Sequence, residues 1–331
     1  MIFLTAAETE AVFDWPSAIA CIRDAYAAPL APKGAPGRVV AADRSAWLRC
    51  MPAIPSSGRY NGVKQISRTR EGRLAYVITL FDKETGELAY LIDGVSITAL
   101  RTSATSAAAL EALDPDGALD LCIIGSGLEA QTHFQALAAT RKIRSLAIYS
   151  PTEANRQALA NQAQRDFGIA ARATASVEEA VRGATHVIAA ARSRDETPLL
   201  FGDWLNPDAV VISVGSTTPS QREIDVSVVE RASLIVSDVP EELAADTGDM
   251  IAAKAAKLVF EDKMFSLHDL IQGRIASARG ERRGIVMFKS VGSALQDVVF
   301  AEYVALRASS KALGRSLDLD IKIKQSIGRN S

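Results

Sequence analysis

The chain has little of what usually marks a special chemistry. Its 331 residues include 3 cysteines and 3 histidines, and aromatic side chains make up only 6%. Cys21, Cys50 and Cys122 are far apart and sit among apolar neighbours such as Leu121 and Ile123. No disulfide framework is expected, and the three read as reduced core thiols of a cytoplasmic protein. His133, His186 and His268 are isolated from one another, from cysteine and from carboxylate clusters, so no metal site is expected. Charge of one sign is lacking too. The balance of 37 basic against 39 acidic residues, net −2, excludes nucleic acid or an anionic membrane as the main partner. No apolar run approaches the roughly 20 residues of a membrane span. Met1-Ile2-Phe3-Leu4-Thr5, followed by Glu8 and Glu10, has no basic start, so a soluble, unexported protein is expected. With 21 glycines and 12 prolines, disorder and collagen-like structure are excluded.

What is present is core-forming material: 48% of residues are hydrophobic, over a length that suits one large or two medium domains. From Ala118 onward, short apolar runs alternate with helical patterns: Leu119–Ile124, Ser145–Tyr149, His186–Ala189, Ala209–Val214 and Ser233–Ser237. This rhythm predicts a Rossmann-type, doubly wound α/β fold with a parallel sheet and helices on both faces. The first 115 or so residues differ. They read as a helix over 14–26 and strands near 45–50, 62–67, 75–81 and 88–92, with a hairpin turn at Asp82-Lys83-Glu84-Thr85-Gly86. An Ala-rich helix over 98–113 follows, and Asp114-Pro115-Asp116-Gly117 punctuates the junction. Ile285–Phe288 reads as a strand and 291–308 as a long helix, while the tail from Ser309 lacks periodicity. The division expected is a Rossmann domain at 117–289 and an α+β domain built from 1–116 with 290–331.

Gly125-Ser126-Gly127-Leu128-Glu129-Ala130 follows the strand ending at Ile124 and opens a helix over 128–140. Gly125 permits the tight turn, Gly127 lets the backbone approach a pyrophosphate, and the small Ala130 lets the helix pack on the sheet. The helix N-terminus, with Leu128 and Glu129 in its first turn, holds the anion. Ser150 occupies the ribose position, where an acid would favour NAD and an arginine NADP. Pro151 stands where a phosphate-reading arginine would be, although Arg156 is near. NAD(H) is preferred, with NADP(H) as the alternative.

Met51-Pro52, Gly62-Val63-Lys64, Leu80-Phe81-Asp82 with Thr85-Gly86, Leu100-Arg101-Thr102, the glycine motif, Arg222-Glu223-Ile224-Asp225, and Phe288-Lys289-Ser290-Val291-Gly292 through Asp297 occur in one order. In that order they resemble the ornithine cyclodeaminase and mu-crystallin family over nearly the whole chain. The pattern is most like the iminosuccinate reductases of the β-hydroxyaspartate cycle. The resemblance implies a substrate and dimerisation domain beside the Rossmann domain, a homodimer, and a nicotinamide facing a cleft between the two domains. It assigns the substrate carboxylate to Arg38, Lys64 and Arg101, with Arg44 competing for the place of Arg38. A solvated loop charge is an equal reading of Arg38. Lys64 and Arg101 lie in apolar or small-residue settings where an unpaired charge is costly. It further implies that Thr79, Arg101 and Thr102 meet the cofactor phosphates, that Ala191, Gly215, Ser216 and Thr217 line the nicotinamide, and that Val291 and Gly292 close the cleft. His133 and His186 read as packing residues.

Two departures from a cyclodeaminase matter. The family's essential aspartate, just after the strand matching 209–214, is Thr217 here, so imine reduction replaces cyclisation with loss of ammonia as the expected chemistry. The second is Arg49, on the same strand face as Met51, where a cyclodeaminase is expected to carry a glutamate. An arginine there inverts the sign of the pocket and calls for a second carboxylate. Arg192 and Arg194, just beyond the nicotinamide strand, add positive field in this reading; a surface ion pair is the alternative for all three arginines. The substrate expected is therefore a small dicarboxylic imino acid, with iminosuccinate reduced to L-aspartate. Lys64, Arg101 and Thr217 are then the residues at the reacting atoms. The alternatives are a pyrroline-2-carboxylate-type cyclic imine, a cyclodeaminase-like or ectoine-utilisation enzyme, and a nicotinamide-dependent binding protein of mu-crystallin type.

Overall fold

The computed structural model describes residues 1–193, 195–275, 284–319 and 321–324. The chain divides into two compact units.

The first comprises Met1–Asp14, Ala28–Thr98 and Ala294–Ser331. Its sheet contains β1 (Ile2–Leu4), β2 (Val39–Ala42), β3 (Ala46–Ala53), β4 (Tyr60–Thr69), β5 (Leu74–Asp82), β6 (Leu88–Asp93) and a late two-residue strand, β15 (Arg315–Ser316), in the order β15-β1-β6-β5-β4-β3-β2. Strands β2 to β6 form an antiparallel meander, while β1 runs parallel to β6. The expected hairpin joins β5 to β6. Asp82 Oδ1 accepts the Glu84 and Thr85 N–H groups, and Gly86 takes the left-handed conformation that closes the turn. Side chains alternate along these strands, so Met51, Ala53, Ile66, Ile78, Leu80 and Ile92 form one buried face. Helix Ala294–Ser310 packs on this face with its own buried stripe of Leu295, Val298, Phe300, Ala301, Val304 and Ala305. Each of the larger of these side chains, from valine upward, contributes about 2 kcal/mol by leaving water.

The second unit comprises Trp15–Ala27 and Ala99–Ser293. Its eight strands are all parallel: β7 (Leu119–Ile124), β8 (Ile143–Tyr149), β9 (Ala171–Thr174), β10 (His186–Ala189), β11 (Val210–Ser213), β12 (Ala232–Ser237), β13 (Met264–Ser266) and β14 (Ile285–Lys289). The order β13-β12-β14-β11-β10-β7-β8-β9 reverses direction between β7 and β10. That reversal creates a crevice at the carboxyl ends of those two strands, the place where doubly wound sheets bind ligands. β10 and β11 are buried along their whole length, as a sheet covered on both faces requires.

Several expectations shift. The division falls at Thr98/Ala99 and Ser293/Ala294, and helix Trp15–Ala27 joins the second unit, where 1–116 with 290–331 and 117–289 had been expected. The reason is helix Gly94–Leu113, which starts four residues before its expected Thr98 and is buried on every side from Ala99 to Leu110. A helix of small residues that packs all round belongs with the larger core. None of the three cysteines forms a disulfide; Cys122 is buried, but Cys21 and Cys50 are only half-buried. The short elements at 2–4, 6–12, 39–42, 171–174 and 264–266 add to those the sequence predicts, and the unpatterned tail contributes β15. No helix among the described residues is long and apolar enough to cross a membrane.

Candidate active site

In the second unit the glycine loop lies at the switch point. Gly125 has φ +128, and a Cβ there would meet the Ala190 carbonyl oxygen at 2.8 Å, so β7 and β10 approach more closely than any side chain allows. Gly127 differs: no heavy atom lies within 4 Å of where its Cβ would be. It caps helix Leu128–Thr140 with no side-chain hydrogen bond, which leaves the first N–H groups for an anion. Open space above an uncapped helix N-terminus fits a dinucleotide pyrophosphate. Ala130 is fully buried against the sheet, whereas Leu128 is exposed and Glu129 is partly so. Ser150 follows β8, buried, with its hydroxyl 2.8 Å from that of Ser126, and Arg156 donates to the Ser150 carbonyl at 2.9 Å. Arg156 is thus turned inward onto the end of β8.

Arg101 and Thr102 sit on the buried stretch of helix Gly94–Leu113, and each is less than a tenth exposed. Two hydrogen-bonded groups tie this helix to helix Leu128–Thr140. Ser103 donates to Thr132 at 2.7 Å, and His133 reaches Ser103 through Nδ1 at 3.0 Å and Ser106 through Nε2 at 2.9 Å. Burial pushes His133 down to about 4, so the neutral ring acts as a structural hydrogen-bonding group. His186 likewise meets Asp114 at 2.9 Å. Gly292, at φ +84, lies against Arg101, and a Cβ there would be 3.1 Å from the guanidinium. Asp238 fixes that turn by accepting the Val291 and Gly292 N–H groups, each at 2.9 Å, and the Ser290 hydroxyl at 2.6 Å.

Ala191 ends the segment after β10, and Gly215-Ser216-Thr217 follows β11. Both segments are held by one buried side chain, Glu223. Its Oε1 accepts the Ala191 N–H at 3.0 Å, and its Oε2 accepts the Gly215 N–H at 2.9 Å and the Ser213 hydroxyl at 2.6 Å. Burial pushes this carboxyl up to about 7, with Lys289 pulling the other way. Ser216 donates to the Gln221 carbonyl, and the Thr217 N–H and hydroxyl both point to Gln221 Oε1. Thr217 therefore belongs to a turn and brings no carboxylate.

In the first unit, Lys64 on β4 registers with Met51 on β3 and Ile78 on β5. It is 1% exposed, and its Nζ is 2.9 Å from Asp297 Oδ1 on helix Ala294–Ser310. Arg49 registers with Val40 and Ile66, which puts it on the face of Met51 and Lys64, with its guanidinium 4.6 Å from the Trp47 ring centroid. Arg38 is half-buried one residue before β2, whereas Arg44 is exposed at a hairpin tip organised by Asp43, which favours Arg38. Thr79 is not brought beside Lys64. It registers with Val63 and Leu91, so its side chain is on the opposite face of the sheet. The positive field expected from Arg192 is compensated by Glu196 at 2.8 Å; Arg194 lies outside the described residues.

Asp238, Asp249, Glu223 and Asp297 had no role in the sequence reading, although Glu223 and Asp297 stood inside quoted motifs. For Asp238, Asp249 and Asp297 the local signal was an ionisable residue within an otherwise apolar or small-residue run, as with Lys289 after Val286-Met287-Phe288; Glu223, in Gln221-Arg222-Glu223-Ile224-Asp225, carried no such signal.

The model of the ornithine cyclodeaminase/mu-crystallin family matches residues 30–312. Ketimine reductase mu-crystallin of Mus musculus is 34% identical over 227 residues, 69% of this chain and 67% of that protein. Delta(1)-pyrroline-2-carboxylate reductase of Bacillus cereus is 28% identical over 275 residues, 81% of this chain and 83% of that protein. The solved iminosuccinate reductase of Paracoccus denitrificans, in complex with NAD+, shares the fold with a TM-score of 0.86 and 23% identity, covering 96% of this chain and 99% of its own. On the family match and the mu-crystallin relative, the chain belongs to the ornithine cyclodeaminase/mu-crystallin family.

Proposed function

We propose that the chain is a cytoplasmic NAD(P)H-dependent reductase of α-imino acids, and that its substrate is a small dicarboxylic imine, iminosuccinate, which it converts to L-aspartate. The observation that carries the reading is the Lys64–Asp297 pair. An ammonium 1% exposed on an apolar sheet face is expensive to desolvate, and its carboxylate partner offsets that cost at 2.9 Å. Such a lysine can grip a carboxylate and keep an imine nitrogen protonated, while Asp297 holds it in place. Relatives named as reductases of ketimines and of pyrroline-2-carboxylate support the reaction class.

The residues that hold a nicotinamide dinucleotide are Gly125, Gly127 and the helix they open, with Ser150 and Arg156 at the ribose, Arg101 and Thr102 at the phosphates, and Ala191, Gly215, Ser216 and Val291 at the ring. When bound, that group supplies the hydride for the imine carbon. Arg38, Lys64 and Arg101 take the α-carboxylate, and Gly292 keeps the space beside the Arg101 guanidinium. Arg49 takes the distal carboxylate as a bidentate fork. Thr217 offers a hydroxyl and no general base, which suits reduction and not deamination. Ser150 in place of an acid leaves NADP(H) beside NAD(H), the preferred cofactor. A homodimer is supported by the apolar outer hairpin, where Val39, Val40 and Leu48 are 66%, 44% and 44% exposed. Sedimentation tests that state.

A second reading, a cyclic ketimine such as pyrroline-2-carboxylate, is favoured by the Trp47 ring beside Arg49, which offers an apolar face. The deciding experiment follows NADH and NADPH oxidation with oxaloacetate plus ammonia, with pyruvate plus ammonia, and with pyrroline-2-carboxylate. Turnover confined to the first mixture, with aspartate as product, is expected. Turnover of only the monocarboxylates overturns the dicarboxylate assignment, and turnover of none overturns the reductase.

A further inference from the structure

Glu223, Lys289, Asp249 and Ser213 form a buried cluster to which the proposed chemistry gives no task; all four are 0–1% exposed. Lys289 Nζ, from the end of β14, lies 2.8 Å from Asp249 Oδ2 and donates to Ser213 Oγ at 2.8 Å. Asp249 Oδ1 accepts the N–H groups of Glu223 and Ile224 at 2.9 and 3.2 Å, which fixes the Glu223 backbone. The Glu223 carboxylate then reaches upward and accepts one N–H from each of two neighbouring strand-end segments, Ala191 after β10 and Gly215 after β11. A Cβ at residue 215 would collide with Glu223 Oε1, so glycine there is the condition for this approach.

We infer that Glu223 is a positioning residue for the nicotinamide end of the dinucleotide: one carboxylate that clamps the segments at 190–191 and 215–217 together so that the ring finds a preformed seat. The inference rests on the cofactor reading above. Three donors converge on two carboxylate oxygens, and only the ionised form accepts all of them without offering a proton of its own. An amide in its place turns one acceptor into a donor facing Ala191 or Gly215. The charged groups facing Glu223 are Lys289 from β14, Asp249 from helix Gly248–Ala255 and, adjacent in sequence, Arg222, whose Nε is 3.7 Å from Asp249 Oδ1. The segment after β10 contributes only the neutral Ala191 N–H, β11 the Ser213 hydroxyl, and the segment after β11 the Gly215 N–H. Burial raises the Glu223 carboxyl to about 7, so the clamp loosens as pH falls through neutrality.

The test compares the affinity of the full chain for NADH with that for ADP-ribose, which lacks the ring, and likewise NADPH with 2′-phospho-ADP-ribose. It is run from about pH 6 to about pH 8 for the wild type, Glu223→Gln and Ser213→Ala. The Gln variant is expected to lose NADH affinity roughly tenfold while ADP-ribose binding holds, and Ser213→Ala, which keeps both backbone N–H donors to the Glu223 carboxylate, to lose less. In the wild type the ratio of the two affinities is expected to fall with pH, and in the Gln variant to be flat. This wild-type arm decides the matter even if the Gln variant does not fold. A pH-independent wild-type ratio, or equal loss of NADH and ADP-ribose in the variant, overturns the clamp. Wild-type protein that binds neither dinucleotide overturns the cofactor reading itself, and the clamp with it.

Discussion

Lys64 and Asp297, 233 residues apart in sequence, meet at 2.9 Å in the interior of one sheet-and-helix layer. Removing one member leaves the other charge stranded in an apolar setting, which costs about 3–5 kcal/mol. Asp297→Asn is expected to lower stability by that order in urea unfolding. Lys64→Met breaks the same buried pair and is expected to cost stability of the same order, and it should abolish imine turnover while dinucleotide affinity stays. Turnover retained in a folded Lys64→Met protein would remove Lys64 from the chemistry.

The two glycines of the phosphate loop predict opposite outcomes. A side chain at residue 127 meets nothing within 4 Å, so Gly127→Val should keep its thermal midpoint and lose dinucleotide affinity by roughly tenfold or more, because it fills the anion's place. Gly125, at φ +128 and 2.8 Å from the Ala190 oxygen, cannot take a Cβ without strain, and Gly125→Ala should cost about 1–3 kcal/mol of stability. Calorimetry and ligand titration on the two variants separate the roles.

In the proposed function Arg49 is the residue that distinguishes a dicarboxylate from a monocarboxylate. Arg49→Glu places like charge against the distal carboxylate, and turnover of oxaloacetate plus ammonia should fall roughly 100-fold while NADH affinity changes little. Equal loss of both would show that Arg49, stacked on Trp47, serves only the strand.

Two buried groups should shape stability with opposite sign. His133 is lowered to about 4 in the folded chain from 6.5, so the unfolded chain binds more protons between those values. Its contribution is complete above about pH 6.5 and is lost as pH falls toward 4, a difference on the order of 3 kcal/mol at most. Glu223 is raised to about 7 from 4.5, so the folded chain holds the extra proton and stability falls as pH rises through that window. Chemical unfolding across pH should show a shallower acid loss in His133→Gln. An unchanged profile would mean that His133 does not govern that range.

What could be read from the sequence was local. The glycine motif, its strand and its helix were legible because a period-2 apolar run, a tight turn and a period-3.6 pattern are all written within about two dozen residues; the helix bounds, Leu128–Thr140, are those expected. Arg49, Met51 and Lys64 could be placed on strands for the same reason. β14 could be recognised as a strand but not as the one inserted between β11 and β12, since parallel order depends on contacts far apart in sequence.

The sequence by itself determined the fold class and the glycine loop between β7 and its helix. Only the tertiary structure decided that Lys64 is answered by Asp297, that Thr79 is on the other face of its sheet, that helix Trp15–Ala27 belongs with the larger core, and that Glu223 binds two strand ends at once. The physical reason is burial. Whether a charged side chain faces water or a partner is set by elements that the chain brings together from far apart, and no local pattern encodes which carboxylate will be there to meet it.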